Sequence, residues 1–396
     1  MRVLTIGSMY PPHHLGGYEL IWLDANRFLR DRGHQVRTLV SDYRAAGAPA
    51  EDPAEDIHRE LRWYWRDHAW PRFSLRERIR IERENAATLN RHLDEFRPDA
   101  VAWWSMGGMS LSLIEGVRRL GIPAMGYVCD GWMVYGFGVD PWMRATRAPL
   151  IGPVAAAATG IPTRVGLDAA GHWLFMSELL RGVCAERRGL RRTSVAYKGA
   201  DADVFRPAEP RGWDYRLLYA GRIDERKGID LAIGALSRLP ERTQLTVVGG
   251  GDESYLARIR EIAAEEGVAD RVEFCGGESR ERLRERYADA DALLFPVRWR
   301  EPWGLVPLEA MLVGTPVVAT GRGGSGEYLR DRENCLIFDP ERGPDALAAS
   351  ITELAEDEGL RARLREGGFA TARAIDRDGF SAAGERILRE LVGEGS

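Results

Sequence analysis

Residues 300–320 read REPWGLVPLEAMLVGTPVVAT, with two glutamates, Glu301 and Glu309, eight positions apart. Just before them Leu293, Leu294 and Phe295 end a short apolar strand that Pro296 closes. Gly304 lets the backbone approach a ligand, and Pro307 needs no amide partner in a first helical turn. Leu308 to Val313 continue the helix, Gly314 is placed to cap it, and Thr315-Pro316 opens the strand Val317-Val318-Ala319. The stretch therefore predicts one strand–loop–helix–strand unit, with a carboxylate in the loop and another on the helix.

In that unit the amides of Gly304, Leu305 and Val306 point outward from a helix N-terminus, where free N–H groups and the helix dipole favour phosphate. Carboxylates are poor phosphate ligands but good acceptors for sugar hydroxyls. A nucleotide-sugar carries both groups. Two solvated surface glutamates would satisfy the same spacing.

Outside the stretch, Lys and Arg total 55, and only Lys198 and Lys227 are lysines, a bias that fits a GC-rich genome. A lysine retained at 227, in the run GRIDERKG, is a poor candidate for surface filler. Leu217 to Ala220 read as a strand, so Arg222 and Lys227 leave its C-terminal end, where open α/β sheets bind ligands. A guanidinium fork and an ammonium on one loop suit a diphosphate and its departure. A solvated basic loop paired with Asp224 and Glu225 is the alternative.

The ordered segments MRVLTI (1–6), PPHHLGGYE (11–19), FMSELLR (175–181), YKGADADVFRP (197–207), YAGRIDERKG (219–228), LTVVGGGD (245–252), VEFCGG (272–277) and ADALLFP (290–296) join the first stretch in a pattern covering most of the chain. The pattern resembles the retaining family 4 glycosyltransferases. The resemblance implies an α/β chain of GT-B fold: two Rossmann-like α/β/α domains with parallel sheets facing across an interdomain cleft. Residues 1–190 plus 376–396 would be the acceptor domain and 191–375 the donor domain. Crossings near 178–197 and 366–378 would act as hinges.

The resemblance also assigns roles. Arg222 and Lys227 match the positions holding the donor diphosphate, Glu309 the acid on the ribose hydroxyls, and Glu301 the acid on the donor sugar, with the Gly304, Leu305 and Val306 amides alongside. Gly16 and Gly17 match the glycine loop near donor phosphate and acceptor. Where many members carry a histidine after a strand, this chain has Cys129 followed by Asp130. A thiol replaces imidazole poorly. Either Asp130 orients the reacting groups, or His13 or His14 supplies the ring.

The expected activity is retaining transfer of a hexosyl unit from a nucleotide-sugar, UDP first and GDP next, to a glycan, lipid-linked or natural-product hydroxyl. No cofactor is expected, and no metal. The pairs Asp201/Asp203 and Asp289/Asp291 read as turn and cap residues. A related epimerase would need extra carboxylates and a histidine, and a non-catalytic binder would have lost some of the four charged residues.

The 396 residues suit two domains, and 44% apolar with 29% charged residues suits a soluble protein. No run approaches a spanning helix, and the N-terminus reads as a strand rather than a secretory signal. Cys129, Cys184, Cys275 and Cys335 show no metal or disulfide spacing, so a cytoplasmic setting is expected. The net charge of −5 argues against nucleic acid as a partner. Residues 58–96 interleave Trp63, Tyr64, Trp65, Trp70 and Phe73 with arginines, diluted by acids such as Asp67. An amphipathic helix is expected over 78–93, serving as core, as acceptor surface or as membrane contact. Trp132, Tyr135, Phe137 and Trp142, among three glycines, suggest a mobile aromatic loop.

Overall fold

A computed structural model describes residues 1–66 and 69–394, which form two compact units, Met1–Ala196 with Asp378–Ser396, and Tyr197–Arg377. Asp67 lies outside the described residues. Unit 1 holds β1 (Arg2–Gly7), β2 (Gln35–Ser41), β3 (Ile57–Leu61), β4 (Ala100–Trp103), β5 (Ala124–Val128), β6 (His172–Phe175) and β7 (Thr193–Val195). They make one sheet in the order β3-β2-β1-β4-β5-β6-β7, every pairing parallel. The order reverses at β1, the doubly wound arrangement that opens a ligand crevice at the strand C-termini. Central strands such as β4 are buried throughout, as a sheet covered on both faces requires.

Unit 2 repeats the plan with β8 (Arg216–Ala220), β9 (Gln244–Val248), β10 (Val272–Gly276), β11 (Ala292–Phe295), β12 (Val317–Ala319) and β13 (Leu336–Ile337), in the order β10-β9-β8-β11-β12-β13, again all parallel. The switch falls between β8 and β11, which carry Arg222, Lys227 and Glu301 on the loops beyond their C-terminal ends. Gly249 and Gly251 let two of these loops touch. A Cβ on Gly249 would lie 1.9 Å from the Gly221 carbonyl oxygen, and one on Gly251 2.1 Å from that of Ile223. The run LTVVGGGD thus serves loop packing, and Ile223 N–H donates to Gly250 O at 2.8 Å.

The helix Leu75–Phe96 is longer than the predicted 78–93 because Ser74 and Glu77 form a capping box, each side chain taking the other's backbone N–H. Of the aromatics before it, Trp63 and Tyr64 are buried while Trp70 is exposed. The expected mobile loop near Trp132 is instead two helices, Trp132–Val139 and Pro141–Thr146. Asp140 caps the second through the N–H groups of Trp142 (2.8 Å) and Met143 (3.0 Å), and Trp132 and Trp142 are core residues. Only Tyr135 and Phe137 of that group face outward; Arg188 lies 4.0 Å over the Phe137 ring. The helix Gly379–Leu391 packs on unit 1, where a Cβ on Gly384 would meet the Tyr127 hydroxyl and His34 Nε2 lies 2.9 Å from Glu385.

Asp140 shares the core with a second carboxyl, Glu82, which accepts from Tyr64 (2.7 Å) and Ser112. Burial, reinforced by Glu82, pushes Asp140 up to about 8, and burial raises Glu82 too. The folded chain therefore keeps a proton that an unfolded aspartate releases near pH 4. Stability from this site is complete below that pH and is lost as pH rises toward about 8. Glu82→Gln removes the neighbouring charge and should flatten the fall in melting temperature between acidic and mildly alkaline buffer. Identical slopes for wild type and variant would rule the pair out as its source.

Candidate active site

In unit 2 the 3₁₀ turn Glu225–Lys227 follows β8, and Gly228 closes it with φ of 69°. A Cβ there would lie 2.0 Å from the Pro296 carbonyl oxygen, so the loops after β8 and β11 are in backbone contact, joined also by Arg298 N–H to Arg226 O at 2.9 Å. That contact delivers Lys227 Nζ to within 2.6 Å of Glu301 Oε2. The Trp299 indole N–H donates to the same oxygen at 2.8 Å, and its ring lies under Arg226 at 4.6 Å and Lys227 at 5.9 Å. Both donors use Oε2, which leaves Oε1 to accept from a ligand hydroxyl.

Glu301 itself is held through its backbone. It bridges Gly323, and its carbonyl accepts the Gly324 N–H at 2.6 Å. Arg222, half-exposed, lies 3.5 Å from Asp224, which already holds Arg226 through two bonds of 2.8 and 2.7 Å. That Arg226 pairing holds the Asp224 carboxyl down to about 2. Tyr219 fixes the Arg222 carbonyl at 2.9 Å, and the half-exposed Arg222 guanidinium has Asp224 as its ion-pair partner at 3.5 Å.

The helix Val306–Val313 begins as expected, with Pro307 in its first turn and Gly314, φ of 93°, ending it. Gly304 has φ of 92° and its carbonyl accepts from Tyr328 at 2.5 Å. The N-terminal amides of Leu305 and Val306 follow directly. Glu309 accepts from the buried Tyr287 hydroxyl at 3.0 Å, and burial raises its pKa. The structure thus pairs Glu301 with Lys227 and Glu309 with Tyr287, on two separate partners.

In unit 1 Gly16 caps the helix Gly17–Asp31, its N–H donating to Glu19 at 3.2 Å. Tyr18 from that first turn donates to the Tyr127 carbonyl at 2.7 Å, which brings the glycine pair beside the end of β5. There Cys129 is buried, and Asp130 accepts from Tyr135 (2.9 Å) and from Trp132 N–H (3.2 Å). Burial pushes Asp130 up to about 6. His13 takes the Ala45 N–H at 3.1 Å and lies 3.6 Å from Glu51, while His14 bonds the Gly16 carbonyl. Of the two alternatives for the missing imidazole, His13 is therefore committed to the loop after β2.

Several residues escaped the sequence reading. Trp299, Tyr287, Tyr328 and Gly323 each fix a site residue, and only the glycine run GRGGSG after β12 was a visible signal. In unit 1 Tyr43, Trp63 and Trp65 wall a cavity of about 370 Å³ with Arg44 and Arg66, beyond the ends of β2 and β3. The larger cavity of unit 2, about 730 Å³, lies at the other end of the sheet, where Asp291 and Thr315 precede β11 and β12, away from Lys227 and Glu301. Neither Asp-x-Asp pair faces the site residues. Asp201 pairs with Arg377 at 3.1 Å, Asp289 with Arg211, and Asp291 accepts the Asp214 and Arg216 N–H groups.

Known proteins resemble this chain in sequence over part of its length and in fold over all of it. The family "Glycosyl transferases group 1" matches residues 203–371. A D-inositol 3-phosphate glycosyltransferase of Xylanimonas cellulosilytica is 35% identical over 211 residues, 49% of this chain and 50% of that protein. A GDP-mannose-dependent alpha-(1-6)-phosphatidylinositol monomannoside mannosyltransferase of Mycobacterium tuberculosis is 34% identical over 221 residues, 50% of this chain and 56% of that one. The chain spans about half the length of the curated relatives it matches. A sucrose-phosphate synthase from Thermosynechococcus elongatus superposes with a TM-score of 0.75 over the full length of both chains at 19% identity. The chain has the GT-B fold, and its residues 203–371 match the glycosyl transferases group 1 family.

Proposed function

We propose that the chain is a retaining glycosyltransferase that moves a hexosyl unit from a nucleotide-sugar to an acceptor hydroxyl. The observation that carries this reading is the Lys227–Glu301 pair at the switch point of unit 2, with Glu301 Oε1 uncommitted and Arg222 nearby. Lys227 and Arg222 would take the diphosphate, and Glu301 would hold the sugar through Oε1. Glu309, on its helix, would accept from the ribose hydroxyls. As the glycosidic bond to phosphate breaks, the two cations stabilise the charge that develops on the leaving oxygen. That oxygen takes the acceptor proton as the new bond forms on the same face. No metal is assigned to the diphosphate, because cationic side chains and helix amides serve it.

Asp130 and the Tyr43, Trp63 and Trp65 cavity would position the acceptor, with flat rings stacking on a sugar or aglycone. UDP- and GDP-sugars are the donors to test first, the second in line with the mannosyltransferase relative. A reducing, cytoplasmic setting accompanies this reading, in accord with four cysteines that form no disulfide among the described residues.

Purified protein should release nucleotide from at least one of UDP-, GDP- and dTDP-sugars when acceptors are supplied, and the same donor should raise its melting temperature through mass action. Stabilisation without release under any acceptor would make the chain a binder. Neither effect with any donor would remove the proposal.

A further inference from the structure

Alternate residues of a strand share a face, so His58 and Glu60 of β3 point the same way. The helix Leu75–Phe96 adds His92 to them. His58 Nδ1 lies 3.5 Å from one Glu60 oxygen and His92 Nε2 3.2 Å from the other. One ligand atom from each residue lies within 4.8 Å of the other two, and the rings are 4.7 Å apart. A tetrahedral ion with bonds of about 2.1 Å sets its ligand atoms roughly 3.4 Å apart, and each imidazole already stands at about that distance from one oxygen of the Glu60 carboxylate.

We propose that His58, Glu60 and His92 form a transition-metal site, suited to zinc, that ties the edge strand β3 to the helix Leu75–Phe96. The surroundings supply what such a site needs. Asp56 accepts from His58 Nε2 at 2.8 Å and is itself held by Arg37 at 3.1 Å, which orients the ring and leaves Nδ1 for the ion. His92 is fully buried, and its Nε2 faces the Glu60 carboxylate.

Asp56, Glu60 and Glu95 outnumber Arg37 and Arg91, so with neutral imidazoles the cluster is net negative. Arg91, now on Glu60, has Glu95 at 3.7 Å as a second partner when an ion takes the carboxylate. His58 and Glu60 are partly exposed, which gives entry and room for a water as fourth ligand. Two imidazoles and one carboxylate favour zinc over magnesium or calcium, which demand more oxygens. His58 lies near the start of β3, whereas Gly16, Gly17 and Asp130 lie beyond the C-terminal ends of β1 and β5. The ion's role is accordingly to fasten an edge strand, not to serve the reaction.

The test uses the full, untagged chain stripped with a chelator and titrated calorimetrically with zinc chloride. One ion per chain should bind with a dissociation constant on the order of micromolar or below. His58→Ala and Glu60→Gln, both at partly exposed positions, should weaken it at least about tenfold. Zinc but not magnesium should raise the melting temperature of the wild type. Cobalt(II) should give tetrahedral visible absorption in the wild type and lose it in both variants. Absence of saturable zinc binding overturns the proposal, and so does equal binding by wild type and both variants, which would place the ion elsewhere, for example at His13 and His14.

Discussion

Lys227→Ala is expected to slow glycosyl transfer by about 10²- to 10³-fold at saturating donor, the scale seen when one preorganised charge partner of a developing anion is removed. Its ammonium is held by the Glu301 carboxylate and lies beside the Trp299 ring, so its position is set before any ligand arrives. Such preorganisation makes the charge effective in the transition state without reorganisation. The pair is largely enclosed, so stability should fall as well, by on the order of 1–3 kcal/mol for the partner left unpaired, and is read separately from the rate. Glu301→Ala should match the rate loss for a different reason, because the sugar is no longer held while Lys227 remains. Transfer rates measured beside melting curves separate the two effects. Unchanged turnover in either variant would take that residue out of the mechanism.

Gly323→Ala should disable the same site without touching a charged group. Gly323 has φ of 85°, and a Cβ there would lie 2.3 Å from both the N and the O of Glu301. The backbone strain alone is worth about 1–3 kcal/mol, and relief requires Glu301 to move away from Lys227. A loss of transfer of at least about tenfold is expected, together with lowered resistance to urea, since misplacement by a fraction of a bond length is costly in an oriented site. Gly250→Ala is the control, because a Cβ there meets nothing within 4 Å. If the two variants behaved alike, backbone clamping of Glu301 would not matter.

How much of this was legible depended on the range over which each signal acts. The unit from Leu293 to Ala319 was readable because Pro296, Pro307 and Gly314 punctuate it locally, and the strand Val317–Ala319 falls where its β-branched run stands. The partners of Glu301 and Glu309 were not readable in that way. Tyr287 reaches Glu309 from a preceding helix, and Gly323 reaches Glu301 from the loop after β12; nothing in either residue's immediate neighbours marks that contact. Composition misled at residues 131–142. Glycines beside aromatics suggested mobility, but burial of Trp132 and Trp142 and the Asp140 cap settle the chain into helices.

The distribution of lysine also has a consequence for handling the molecule. Lys198 is buried and Lys227 is mostly enclosed beside Glu301, so the described surface presents no well-exposed lysine amine to acylating reagents. Ester-activated dyes and surface-coupling chemistries that rely on lysine would therefore label the chain poorly, and slow labelling at Lys227 would coincide with inactivation. A single Arg→Lys exchange at a chosen exposed position, such as Arg187, would create a well-exposed lysine at constant charge, reacting ahead of Lys227.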